Sequence, residues 1–168
     1  MLNQKRMPKT IGWKEWLALP ELGVPAIKVK VDTGAKTSAL HAFKLEFFTR
    51  DDREFVRFWL HPIQKNTEVE IVCEAPVADR RIIRDSGGHE EERSVIETPI
   101  LINGKQWHIE ISLASRENMS FRMLLGRSAM RRGGVMVNPN RAYLTGKRIK
   151  KVYAKAYKPT KKSSRVEP

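Results

Sequence analysis

Asn103-Gly104, set between Ile100-Leu101-Ile102 and Trp107-His108-Ile109, is the strongest constraint on the fold. That dipeptide favours the left-handed backbone of a two-residue turn, which joins antiparallel strands. Beyond the turn, Trp107, Ile109, Ile111 and Leu113 alternate with His108 and Glu110, the period of a half-buried strand. The same period recurs upstream in Phe43, Leu45 and Phe47, in Val56, Phe58 and Leu60 after the polar turn Thr49 to Arg53, and in Val69, Ile71 and Cys73. Ile11 to Leu22 reads as an edge strand and a turn, with Pro20 as its stop. A brief helix is expected over Arg127 to Arg132, broken by Gly133-Gly134, and a last strand over Val135 to Val137. Many short strands with one short helix predict an all-β barrel. A length of 168 residues suits one domain, and a hydrophobic content of 40% supplies its core.

A candidate reactive group sits where one strand-like run stops. Ile27, Val29 and Val31 alternate with Lys28 and Lys30, and Asp32-Thr33-Gly34-Ala35 follows. Gly34 lets the chain turn sharply and leaves Asp32 on a loop instead of in a ladder. By itself Asp-Thr-Gly is an Asx turn more often than a catalytic loop.

In its wider setting the stretch resembles the active-site loop of retropepsin-like aspartic proteases. These carry a second signature late in the chain, an apolar pair followed by Gly-Arg and a short helix. Met123-Leu124-Leu125-Gly126-Arg127-Ser128-Ala129-Met130 is similar to it. Trp16 to Pro20, Lys30 to His41, Arg93 to Thr98, and Ser112 through Arg127 resemble one bacterial branch, whose members are labelled ATP-dependent zinc proteases. That branch includes a peptidase that trims glutamate tails and is linked to a ribosomal-protein glutamate ligase. The resemblance implies a retropepsin-like closed barrel with a flap hairpin and one short C-terminal helix. It implies Asp32, Thr33 and Gly34 as the catalytic loop, and Gly126 and Arg127 as structural or dimer-forming residues. In it, Arg84 to Arg93 forms the tip of the flap; read as sequence alone, the same segment is equally an idle solvated loop. Arg127 and Arg93, with Arg116, stand out through the resemblance, Arg127 as a partner for a carboxylate of another subunit. A plain ion pair is the commoner use of any one arginine.

Aspartic chemistry needs two carboxylates that share a proton, one activating water and the other polarising the carbonyl. The chain holds a single Asp-Thr-Gly, so a dyad requires a symmetric homodimer. Lys30 departs from the apolar residue usual in retropepsins. If the strand runs regularly to Asp32, Lys30 shares its face and favours an ionised Asp32 or an acidic substrate group. Lys30, Lys36, Arg84 and Arg93 are therefore the expected substrate-binding residues.

Other chemistries find little footing. His41, His61, His89 and His108 are not spaced as metal ligands on one helix, and Arg93 breaks the zincin pattern begun by His89-Glu90. No metal and no cofactor are expected. The phosphate-cradling Gly-x-x-x-x-Gly-Lys-Ser/Thr and the Gly-x-Ser-x-Gly elbow are absent. Cys73, the only cysteine, falls on an apolar strand face and excludes an intrachain disulfide.

The formal net charge is +13, and residues 147–168 hold nine basic side chains against Glu167 alone. Such a tail attracts polyanions or merely solubilises the chain. Residues 1–10 read as a polar arm, 11–146 as the retropepsin-like domain, and 147–168 as a flexible basic tail. With neither signal peptide nor membrane-spanning run, a cytoplasmic location is expected. The sequence thus predicts an aspartic-type peptidase that hydrolyses acidic peptides, such as glutamate tails on a ribosomal protein, at a homodimer interface. The alternative is a non-catalytic basic module docking on RNA or a ribosomal surface through the tail.

Overall fold

A computed structural model of the chain describes residues 10–84, 87–115, 120–147 and 151–153. Nearly all of the expected N-terminal arm, most of the basic tail, two residues of the flap tip and Arg116 lie outside these ranges.

The described strands are β1 (Thr10–Ile11), β2 (Lys14–Leu19), β3 (Val24–Val31), β4 (Ser38–His41), β5 (Lys44–Arg50), β6 (Arg53–Leu60), β7 (Ile71–Pro76), β8 (Asp79–Arg84), β9 (Glu90–Ile102), β10 (Lys105–Ala114), β11 (Met123–Leu125) and β12 (Met136–Val137). They are joined by the α-helix α1 (Arg127–Gly133) and a 3-10 turn at Pro20–Leu22, and residues 151–153 are also helical. The main sheet runs β10-β4-β11-β3-β2-β9-β8, and β9 also pairs with β10. The ladder therefore returns on itself and closes a barrel, as expected, with Ala18 opposite Leu101 as the closing pair. Closure leaves no open edge between those strands. The β8–β9 hairpin projects from the ring with Arg84 opposite Glu90, so the expected flap is a hairpin.

Local chemistry sets the turns. Asn103 and Gly104 have φ of 48° and 82°, the left-handed pair that a two-residue turn between β9 and β10 demands. Asp51 and Asp52 do the same between β5 and β6. Leu17, Leu19, Ile27, Leu40, Ile96, Ile100, Ile109 and Ile111 fill the barrel. The β5-β6-β7 sheet continues that core through Phe58, Val56 and Cys73. Burial raises the Cys73 thiol to about 12, as befits packing and not nucleophilic use.

Three expectations need correction. β2 is not an edge strand: it pairs with β3 on one side and β9 on the other. Phe47 does not join the core but is 42% exposed under the Arg80 guanidinium, 4.5 Å from the ring centroid. The third strand of its sheet begins at Ile71 and not at Val69. Asn66 Oδ1 accepts from the N–H groups of Glu68 and Val69 and holds that stretch in a turn.

Glu15 is the polar anchor that the pattern did not reveal. It is fully buried, and its carboxylate accepts from the N–H groups of Gly12, Leu144 and Thr145 and from the Thr145 hydroxyl. It thereby pins the segment after β12 across the start of β2. Glu15→Gln turns one acceptor oxygen into an amide that faces donors. We expect a loss of about 2–3 kcal/mol by urea unfolding with an unchanged slope; an unchanged midpoint would show that the anchor contributes nothing.

Candidate active site

The site is built by a strand inserted between two others. β3 and β4 are consecutive, yet they do not pair with each other. β11 lies between them, parallel to β3 and antiparallel to β4. The loop 32–37 that links β3 to β4 must pass over the end of β11. The Asp32 N–H donates to the Leu125 carbonyl at 2.9 Å, which carries the ladder one residue beyond β3.

The loop then docks on the start of α1. The N–H of Arg127 donates to the Ala35 carbonyl at 2.8 Å and that of Ser128 to the Lys36 carbonyl at 3.0 Å. Two N–H groups that a helix start leaves without intrahelical partners are thus satisfied by the loop. Gly126 donates to Ser38 Oγ at 3.0 Å, and Ser112 Oγ donates to the Ser38 carbonyl at 3.1 Å. A Cβ on Gly126 would lie 2.8 Å from the Thr37 carbonyl carbon and 3.0 Å from the Ala35 and Lys36 oxygens, so only glycine permits this approach.

Asp32 is half-buried at the head of this loop, with Thr33 and Gly34 exposed beside it. Its Oδ1 accepts from the Gly34 N–H at 2.9 Å, an Asx turn. The turn orients the carboxylate; among the described residues no ion pair engages it. It is placed to accept a proton or a hydrogen bond from a ligand.

The other expected residues are placed as follows. Lys30 is exposed on β3 opposite Lys14, and no ion pair joins it to Asp32 among the described residues. β3 ends at Val31, and the Asx turn takes Asp32 out of the strand's alternation. Lys36 is exposed on the loop. Arg84 pairs with Glu90 across the hairpin at 2.6 Å. Arg93 is buried and pairs with Glu91 at 2.7 Å, while its Nη2 has no hydrogen-bond partner. The Arg127 Nη1 donates to the Thr33 carbonyl at 2.8 Å, so it braces the Asp32 loop within its own chain.

The sequence reading missed Ser38 and Ser112; their only signal was a small polar residue inside an apolar strand run. It also missed the root of the flap, where Arg81 grips Glu110 with two bonds of 3.1 Å. The Arg81 hydrogen bonds hold the Glu110 carboxyl below the ordinary glutamate range. Among the described residues no three of His, Cys, Asp and Glu gather to hold a metal ion. His61 instead stacks on Phe43, with ring centroids 4.0 Å apart. No described helix is long and apolar enough to cross a membrane.

Two outcomes are expected. Gly126→Ala forces the loop off α1 and costs about 1–3 kcal/mol, with faster hydrogen exchange at the Asp32 and Gly34 amides; unchanged exchange would show that the contact does not fix the loop. Glu110, depressed in the folded state, stabilises above its unfolded value and loses that contribution as pH falls through its folded one. Arg81→Met removes this dependence, so the stability gap from the parent should shrink between pH 7 and pH 3, read by urea unfolding; a gap of constant size would refute the linkage.

Residues 10–148 match the RimB-like family, described as "Retropepsin-like aspartic endopeptidase RimB". A Desulfotalea psychrophila protein named "Probable alpha-L-glutamate ligase" is 44% identical over 98% of this chain and 35% of its own length. A Shewanella pealeana protein of the same name is 44% identical over 82% of this chain and 30% of its own. This chain therefore spans about a third of these relatives. A Legionella pneumophila protein of unknown function superposes with a TM-score of 0.69 at 22% identity, covering 82% of this chain and 98% of the other; it shares the fold.

These names correct the expectations. The relatives are named glutamate ligases and not zinc proteases. The same names overturn the expected peptidase of acidic peptides, because a ligase forms the bond that such a peptidase breaks. The family description denotes an enzyme and so speaks against the non-catalytic character of the alternative.

Proposed function

This chain belongs to the RimB-like family of retropepsin-like aspartic endopeptidases, and on that premise we propose that it is an enzymatic module serving α-L-glutamate ligation, with the Asp32 loop as its active centre. The observation that carries this reading is the 44% identity to a probable α-L-glutamate ligase across 98% of the chain. Because the match covers 35% of that relative, the ligating machinery itself is assigned to the remainder of such a protein. The module's part is to engage the growing or finished glutamate-bearing chain. Asp32 supplies the carboxylate, oriented by Gly34 and kept in register by Leu125. Arg127 fixes the Thr33 carbonyl and so holds the loop's shape during binding.

A second reading concerns the enzyme type and is favoured by the family's description. In it Asp32 performs aspartic-type acid–base chemistry. One Asp-Thr-Gly per chain then makes self-association the source of a second carboxylate. Thr33 and Gly34 line that centre, and Gly126 keeps the loop seated.

Both readings meet in one experiment. The part of the Desulfotalea relative outside the matched region is incubated with ATP, glutamate and an acceptor peptide, with and without this chain, and product lengths are read by mass spectrometry. We expect the chain to change the distribution of attached glutamates, and Asp32→Asn to abolish that change. A distribution indifferent to the chain would overturn the ligation reading. A change that survives Asp32→Asn would remove Asp32 as its centre and the aspartic type with it.

A further inference from the structure

Ion pairing divides the surface unequally. On the flap and the β5-β6-β7 sheet, Arg50, Arg57, Arg80, Arg81 and Arg84 are each paired with a carboxylate. On the outer side of β2 and β3, Lys14, Lys28 and Lys30, with Lys147 beside them, make no ion pair among the described residues. Lys14 and Lys30 stand directly opposite each other, an arrangement of like charges that is unfavourable unless an anion is shared. Lys28 follows Lys30 on the same face, about 6.7 Å along the strand.

Aromatic rings replace the missing acids. The Lys14 ammonium lies 4.6 Å from the Trp13 ring and 5.2 Å from the Tyr143 ring. Lys147 approaches the same Tyr143 ring at 4.8 Å, and Lys28 lies 5.8 Å from Trp16. A ring face attracts a cation without neutralising it, so the positive charge stays available to a ligand. Trp13 is 37% exposed at the end of the row.

The arrangement is held in place at a cost. Tyr143 has φ of 56°, a left-handed conformation that a bulky residue rarely adopts. Its N–H donates to the Lys14 carbonyl, and the buried Glu15 grips the next two N–H groups. This strained backbone sets one ring between two ammonium groups. A merely solvated lysine face needs no such support.

We propose that this lysine-aromatic face of β2 and β3 binds single-stranded RNA. The unpaired ammonium groups follow the phosphates, and the exposed Trp13 ring with the half-buried Tyr143 ring offers stacking surface to bases, while Trp16 is buried beneath them; this is the combination by which single strands are held without sequence preference. An acidic peptide would satisfy the lysines but make no use of the exposed Trp13 ring, so RNA fits the face better. The face runs along β3 up to the Asp32 loop but excludes the Asp32 carboxylate.

The test uses the full chain and a fluorescein-labelled twelve-nucleotide oligouridylate, with fluorescence anisotropy over a range of salt. The parent should bind, with affinity falling steeply as salt rises. Lys14→Gln/Lys30→Gln should weaken binding by about tenfold at low salt and lower the log–log salt slope by about 1.4, two phosphate contacts at roughly 0.7 each. The control Lys44→Gln/Lys65→Gln removes the same charge elsewhere and should change affinity less than about twofold. Thermal melts confirm that both variants fold; should the first not fold, Trp13→Ala, which removes the exposed ring, replaces it with the same expected loss. No binding by the parent, or equal losses in test and control variants, overturns the proposal. A labelled twelve-residue polyglutamate peptide bound as tightly as the RNA also overturns it, in favour of an acidic protein partner.

Discussion

The insertion of β11 between β3 and β4 is the constraint on which the site depends. Met123 to Leu125 pair with β3, Met123 and Leu124 also pair with β4, and all three are buried or half-buried. Without them the two strands that flank the Asp32 loop would have no common partner. Each backbone group of β11 that pairs on one side leaves the alternate group to pair on the other, so the insertion adds ladder bonds to both. The loop is consequently anchored at both ends by the same short strand. Its middle rests on the helix that follows that strand.

A strand this short cannot hold position alone, and the side chains around it show how it is secured. Ser38 and Ser112 form a hydrogen-bonded link from β10 through β4 to the backbone of Gly126. Gly126 allows the helix start to approach the loop backbone within contact distance. Arg127 then reaches back to the Thr33 carbonyl. The loop is therefore rigid at its backbone while the Asp32 carboxylate remains half-exposed. Such a division, with fixed support and an accessible reactive atom, is what a preorganised site needs.

Electrostatics divides the molecule in a second way. The flap and the small sheet are laced by arginine–carboxylate pairs, some bidentate, whose geometry suits fixed structure. On β2 and β3, Lys14 and Lys28 lie against aromatic rings, and Lys30 makes no ion pair among the described residues. Arginine's planar fork and lysine's mobile point charge fit these two uses. Lys14 and Lys30 thus place two such charges opposite each other on the strand pair that leads to the Asp32 loop. A glutamate-bearing ligand and a polyphosphate chain would both experience that field, and the ring partners distinguish the two.

By itself the sequence determined whatever depends on neighbours along the chain. Alternating apolar residues marked β6 and β10, Asn103-Gly104 marked the turn from β9 to β10, and Gly133-Gly134 ended the helix, because strand period and turn chemistry are local properties. Asp32-Thr33-Gly34 and Gly126-Arg127 were legible as a pair of signatures, although not how they touch. Only the tertiary structure decided that β2 is paired on both sides within the barrel wall, that Phe47 meets Arg80 instead of the core, and that Glu15 is the buried anchor of a segment more than a hundred residues away. It also decided that Arg127 braces Thr33 within one chain, and that Lys30 and Lys36 make no ion pair among the described residues. The reason is physical. A carboxylate or a guanidinium carries no periodic signature, and its partner is chosen by the three-dimensional course of the backbone, here by one strand passing between two others.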